Sequence, residues 1–315
     1  MNCLWYRMPE AYRRLQPDWE MSPADRERTE ARARSGMSAT LSNADYERLR
    51  RIIYDECGIK MTPAKKVMLE ARLRKRLRNL GLESFSGYCE YLFSRQGLEN
   101  ELINMIDVVT TNKTDFFREP KHFDFLTSTA VPELMELYGA GMRRNMNIWS
   151  AGCSTGEEPY TIAMVLSAFR ETHPTFEFQI LGTDISTKVL EKAQKGIYKM
   201  ERVDTVPAVM KKKYLLRSRD REKNLVRVAP EVRSCVRLRR LNFMAEDFGM
   251  RESMDLIFCR NVIIYFDRPT QERLLNRLYD HLIPGGYLFM GHSETLSGLN
   301  IPLQSVGHMI YKKPL

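Results

Sequence analysis

The sequence predicts an α/β protein: a doubly wound, Rossmann-like sheet carrying a small antiparallel β insertion, preceded by a small all-helical domain. Three observations predict it. From residue 146 onward, short apolar runs alternate with helical patterns. Before that, residues 42–110 carry their apolar side chains at helical spacing. Between two parts of the sheet pattern, residues 214–241 switch to period-two alternation. A chain of 315 residues with 43% hydrophobic content can bury one large core or two modest ones.

The elements follow in order. Residues 1–36 are polar and arginine-rich, with Trp5, Tyr6, Tyr12 and Trp19 scattered among them. They read as an extension outside the folded pattern, and Met37 as an alternative start. Ser42 is placed to N-cap a helix whose Leu49, Ile52 and Ile53 share one face. Pro63 suits the start of a second helix, where its missing N–H costs nothing, and Gly81 suits its end. Helices are also expected over Ser84–Phe93 and Glu99–Val109. Residues 37–110 therefore form the helical domain, 111–140 a linker and the lead into the sheet domain, and 141–315 the sheet domain. Its strands are expected at Asn147–Ser150, Phe178–Gly182, Asp255–Cys259, Gly286–Gly291 and His308–Lys312. Its helices are expected at Pro159–Arg170, Lys188–Lys195 and Thr270–Leu282. Tyr214–Leu216, Leu225–Val228 and Val236–Leu238 make up the insertion, spanning about 214–241.

Charge is uneven. The formal net charge is +9, yet residues 195–241 alone hold 15 basic against 5 acidic residues. Lys60–Arg78 holds eight basic residues and one acid, Glu70. In its helix, Leu73, Leu77 and Leu80 form one face, while Arg72, Lys75 and Arg76 are expected to point outward. This balance suggests an anionic macromolecular partner. The basic stretches lack the aromatic interleaving that stacking on single strands needs, so nucleic acid is not expected. No apolar run is long enough to span a membrane, and no signal-peptide core opens the chain. Six cysteines without a CxxC pair fit a reducing, cytoplasmic setting. The five histidines are scattered, and no metal site is expected.

The stretch Ile148–Pro159 carries the most chemistry. A strand feeds a loop of small residues, Ala151-Gly152-Cys153-Ser154-Thr155-Gly156, and then Glu157 and Glu158 open a helix. Glycines let a ligand approach the backbone. A pyrophosphate would be repelled by two adjacent carboxylates; a ligand with a positive centre and no phosphate is not. S-adenosylmethionine is such a ligand. Asp184, ending the next strand, can accept from both ribose hydroxyls. Asn242 and Phe243 can frame an adenine. Arg260, Asn261 and Tyr265 follow another buried strand and face the same crevice.

These stretches, with TNKTDFFREPKHF at 111–123, FCRNVIIYFD at 258–267 and GGYLFMGHSE at 285–294, resemble the chemotaxis receptor glutamate methyltransferases over residues 38–313. The resemblance implies transfer of a methyl group from S-adenosylmethionine to glutamates on the cytoplasmic bundle of chemoreceptors. It implies cofactor contacts from Asn112, Thr114, Arg118, Glu158, Asp184, Asn242, Arg260 and Asn261. Tyr265 would lie near the transferred methyl, and the helix of Arg72, Lys75 and Arg76 would meet the receptor. Some members grip a receptor tail peptide through glycines in the insertion loop. Residues 217–224 contain none here, so no specific tail grip is expected. Arg118 and Tyr265 are expected to orient the acceptor carboxylate. Two other readings use the same cofactor site: a methyltransferase with another acceptor, and a non-catalytic module that senses the cofactor.

Overall fold

A computed structural model describes residues 40–220 and 222–315. The extension expected at 1–36 and the start at Met37 lie outside the described residues. The helical domain opens with α1 (Asn43–Cys57), where the Ser42 hydroxyl accepts from the Asp45 N–H at 3.0 Å. Pro63–Lys65 forms a single 3₁₀ turn and leads into α2 (Lys66–Leu80), which stops at Gly81 in the left-handed conformation. The short helices α3 (Phe85–Leu92), α4 (Arg95–Asn100) and α5 (Leu102–Val109) complete the domain. Leu49, Ile53, Leu69, Leu73, Tyr88 and Met105 are buried at its centre. Each such aliphatic side chain contributes roughly 1.5–3 kcal/mol of burial energy.

The basic helix differs from the expectation. Arg76 does not point outward. It is buried, and its guanidinium donates to both Glu101 oxygens at 2.7 and 2.6 Å. The Tyr88 hydroxyl donates to the same carboxylate at 3.1 Å. The reason is spacing: Arg76 follows Leu69 by seven residues and Leu73 by three, so it sits on the inward stripe. Arg72 is half-buried and turns back to the chain leaving α5. It donates to the carbonyls of Val109 and Thr110 and, at 2.9 Å, to the Thr111 hydroxyl. Of the three residues, Lys75 alone is exposed.

Beyond the linker, α6 (Lys121–Phe125) continues through one π turn, Leu126–Ala130, into α7 (Val131–Tyr138). The sheet domain then alternates β1 (Met146–Ala151), α8 (Glu157–Thr172), β2 (Phe178–Asp184) and α9 (Thr187–Lys195). The insertion contributes β3 (Ile197–Lys199), α10 (Ala208–Tyr214), β4 (Leu215–Arg217) and β5 (Leu225–Val228). The main fold resumes with α11 (Pro230–Ser234), β6 (Val236–Arg240), β7 (Met254–Cys259) and α12 (Arg268–His281). It ends with β8 (Leu282–Met290), β9 (Gln304–Gly307) and β10 (Ile310–Lys312).

Seven strands form the main sheet in the order β6-β2-β1-β7-β8-β10-β9. The first five are parallel, and β10 runs antiparallel to both of its neighbours. One face buries Ile148, Ile180, Leu256 and Phe258 under α6–α8; the other buries Trp149, Ile257 and Leu288 with Leu274 and Leu278 of α12. The strand order reverses between β1 and β7, and ligands of open α/β sheets bind at the carboxyl ends of strands at such a point.

The insertion is displaced from its expected range. Its sheet is β3-β5-β4, so its strands run from Ile197 to Val228. Val236–Arg240 is not part of it but pairs in parallel with β2, Ile180 opposite Val236. In β6 Arg237 is exposed on one face while Val236 and Leu238 are half-buried on the other, which is the same period-two pattern that a ribbon strand shows. In the glycine-free loop between β4 and β5, Asn224 takes a left-handed conformation, φ 47°.

Candidate active site

A crevice opens at the carboxyl ends of β1, β2 and β7. It contains Asn112, Thr114, Arg118, Glu158, Asp184, Asn242, Phe243, Arg260, Asn261 and Tyr265 in its walls. Every residue singled out for the cofactor or the chemistry is thus gathered in one place. Cys57 and Ile59 of the helical domain close it on the remaining side.

The glycine loop shapes the floor. Gly152 has φ 85°, and a Cβ there would stand 2.5 Å from Val262 Cγ2. Asp184 is buried at the tip of β2. Its two oxygens accept from the N–H groups of Ser154 and Ser186, each at 2.9 Å. Burial pushes its pKa up, while those backbone donors pull it down. Each oxygen keeps a lone pair for a further donor.

Glu158 and Arg260 are not independent binders. Arg260 Nε donates to Glu158 Oε2 at 2.7 Å, and the Ser150 hydroxyl donates to Oε1 at 2.7 Å. The same guanidinium donates to the backbone carbonyl of Arg118 at 2.7 Å and lies over the Phe123 ring at 5.3 Å. It therefore fixes the linker that carries Arg118, whose own side chain is half-exposed at the crevice. The Ser154 hydroxyl holds the linker from the other side, donating to the Asn112 carbonyl at 3.0 Å. Phe117 and Glu119 adopt left-handed φ values of 52° and 58°, a conformation uncommon for such residues and held here by these contacts.

Asn242 does double duty. Its amide donates to the Glu56 carbonyl of the helical domain at 2.6 Å and accepts from the Met244 N–H at 3.0 Å. Phe243 stands beside it against Trp149, ring centroids 6.5 Å apart. Tyr265 sits in the 3₁₀ turn Ile263–Tyr265, and its carbonyl accepts from Lys60 N–H at 2.9 Å. Asn261 has φ 60°, and its buried Oδ1 has no partner.

One organiser escaped the sequence reading. Glu294 is buried and accepts from the N–H groups of Asn261, Gly291 and Ile263 at 2.7, 2.7 and 2.9 Å. It folds the loop that presents Asn261 and Tyr265. The available signal was an acid four residues after a fully apolar strand end, Met290. Glu119, His122 and His292 bring ligating atoms within 4.8 Å of one another. The Arg260 guanidinium stands 3.4 Å from His122 Nδ1 and 3.5 Å from Glu119 Oε2, and its charge opposes a metal cation there.

The crevice suits a cationic, adenosine-bearing ligand. Glu158 is neutralised by Arg260, whereas no ion pair with Asp184 occurs among the described residues. The Gly152 cradle and the orphan Asn261 oxygen offer close approach and an open acceptor. Strand order, glycine loop and terminal acid together define an S-adenosylmethionine-dependent methyltransferase. Residues 112–311 match the family model described as CheR methyltransferase, SAM binding domain, and residues 44–110 match CheR methyltransferase, all-alpha domain. The chain belongs to the CheR methyltransferase family. It is 40% identical over 278 residues to the chemotaxis protein methyltransferase of Borreliella burgdorferi, covering 88% of this chain and 96% of that one. It is 39% identical over 271 residues to that of Escherichia coli, covering 86% and 91%.

Proposed function

We propose that this chain esterifies glutamate side chains on the cytoplasmic helical bundle of chemoreceptors, acting in the cytoplasm. The observation that carries the reading is the half-exposed Arg118 guanidinium at the mouth of a crevice whose floor holds the buried Asp184. Asp184 accepts from ribose hydroxyls with its remaining lone pairs. Phe243 and Asn242 frame the adenine, and Asn112, Thr114 and Asn261 complete the cofactor wall. Glu158 holds Arg260, and through it the linker. When bound, S-adenosylmethionine supplies an activated methyl on a sulfonium, ready for displacement by a carboxylate oxygen.

The chain's residues then have a placement task. A glutamate with an ordinary pKa of about 4.3 is already ionised near neutral pH, so no general base is required. Arg118 holds the far carboxylate oxygen in its planar fork and leaves the near one free. Tyr265 orients the same group through its hydroxyl. Charge is lost as the transition state forms, so strong anion binding alone would not speed the step; alignment and exclusion of water do.

The test is transfer of labelled methyl groups to purified cytoplasmic receptor fragments, with nucleic acid and small carboxylic acids as alternative acceptors. Base-labile label mapped to glutamates supports the reading. Label on another residue type or only on another acceptor refutes it.

A further inference from the structure

The antiparallel insertion reaches into the segments that build the crevice. Arg202 lies in the 3₁₀ turn Met200–Val203 that follows β3. One guanidinium nitrogen donates to Asp115 Oδ1 at 3.0 Å. The other donates to Glu157 Oε1 at 2.8 Å and to the Thr114 carbonyl. Three residues further on, the Thr205 hydroxyl donates to the Phe116 carbonyl at 2.7 Å. The Tyr198 hydroxyl of β3 donates to the Thr155 carbonyl at 2.7 Å, and its ring meets Phe116 edge-on at 5.0 Å. The carbonyls of residues 114, 116 and 155 therefore all accept from the insertion.

We infer that Arg202 is a positioning residue for methyl transfer, locking the linker that carries Thr114 and Arg118 against the glycine loop. The inference rests on the reading that this linker lines the transfer site. Glu157 is almost fully buried in the first turn of α8, and Arg202 is its charge partner. One planar guanidinium meets a linker carboxylate, a linker carbonyl and the carboxylate that opens α8 at once. A lysine ammonium keeps the charge but is a point donor without the fork. Arg260 grips the linker from beneath at Arg118, and Arg202 grips it from the insertion side at Thr114 and Asp115. With both in place, the strained turn at Phe117 to Glu119 has fixed ends.

Arg202→Lys and Thr205→Val, in the full chain, test this by three readouts: methyl transfer to receptor fragments, calorimetric cofactor affinity, and amide exchange over residues 112–118. Thermal unfolding checks that each variant is folded. For Arg202→Lys, kcat is expected to fall about ten- to a hundredfold, the range for a misplacement near 1 Å. The receptor KM is expected to change by less than about twofold, because no docking surface is altered. Cofactor affinity should weaken, and exchange over 112–118 should rise while that of α2 stays constant. Thr205→Val should shift the same readouts by a smaller amount. A folded Arg202→Lys protein with parental exchange, affinity and turnover would overturn the inference. So would a loss that scales only with unfolded fraction. A parent protein that esterifies no receptor glutamate counts against the proposed function instead, while exchange and calorimetry still judge the linker.

Discussion

Arg260 shows how one side chain organises a site it was expected only to line. It pairs with Glu158, supports the Arg118 carbonyl and stands beside His122. Burial, with the Arg260 charge next in effect, lowers the His122 pKa to about 4. In the unfolded chain this histidine protonates near 6.5, so between the two values the unfolded state binds more protons. Stability is therefore lost as pH falls from about 6.5 to about 4, by up to about 3 kcal/mol. Denaturant titrations of the parent and His122→Gln at several pH values should show a shallower acid slope in the variant; equal slopes would contradict this. Two further outcomes belong to single residues. Asp184→Ala should cost about 2–4 kcal/mol of cofactor affinity, at roughly 1.5 kcal/mol per bond to a charged acceptor. Unchanged affinity by calorimetry would remove Asp184 from the site. Arg118→Lys should retain most cofactor affinity yet lose about a hundredfold in transfer, because lysine lacks the planar fork. Equal turnover at saturating cofactor and receptor would exclude the orienting role.

Among the elements, α2 carries the sharpest contrast. Arg76 and Lys75 are adjacent in sequence, one in a buried pair with Glu101 and the other in solvent. Arg76→Ala leaves Glu101 buried without its cation and should destabilise the protein by about 3–5 kcal/mol. Lys75→Ala should stay within about 0.5 kcal/mol. Denaturant unfolding of the two variants checks both, and similar midpoints would mean that the pair contributes little. The same helix shows where sequence reading ends. Its end at Gly81, and the 3₁₀ turn from Pro63 that leads into it, were legible because proline and glycine act locally. The inward turn of Arg76 was readable in principle from its spacing to Leu69 and Leu73; the buried partner that makes it tolerable, Glu101, is 25 residues away and was not. Asp184, Asn242, Phe243, Arg260, Asn261 and Tyr265 were legible for a related reason, since strand ends in an alternating pattern are local features, whereas Asn112, Thr114 and Arg118 in the linker came only from the family resemblance. The Arg260–Glu158 pair spans 102 residues and became visible only in the fold. The strand β6 was misassigned because half-exposed alternation is common to an edge strand and a ribbon.

At the scale of the molecule, the positive charge is less available than its count suggests. Arg202, Arg227, Arg233, Arg239 and Arg240 all donate to backbone carbonyls within the fold. Lys75 and Arg78 on α2, with Lys212, Arg217 and Arg219 on the insertion, remain exposed. Such contacts are screened beyond about 8 Å at physiological ionic strength and act mainly on encounter rate. Neutralising Lys75 and Arg78 should slow receptor methylation most at low salt and leave cofactor affinity unchanged. Deleting the receptor's last residues should change affinity little. Binding to intact and truncated receptor across a salt series decides this, and a large loss on truncation would show that the exposed insertion cations grip the tail.

The contacts across the crevice bear on modularity. The family models divide the chain at residues 110 and 112, as if two interchangeable parts had been joined. The atoms do not respect that division. Asn242 reaches the Glu56 carbonyl, Tyr54 reaches Asp267, and Lys60 N–H reaches the Tyr265 carbonyl. Thr187 reaches Asp107 as well. Each link runs between the small domain and a loop or helix start at the carboxyl end of the sheet. Recombination that moved the small domain onto a foreign sheet would have to restore all of these fittings, or leave the crevice with an open side. A hybrid that swaps only one half is therefore expected to have neither a sealed wall nor an anchored Tyr265.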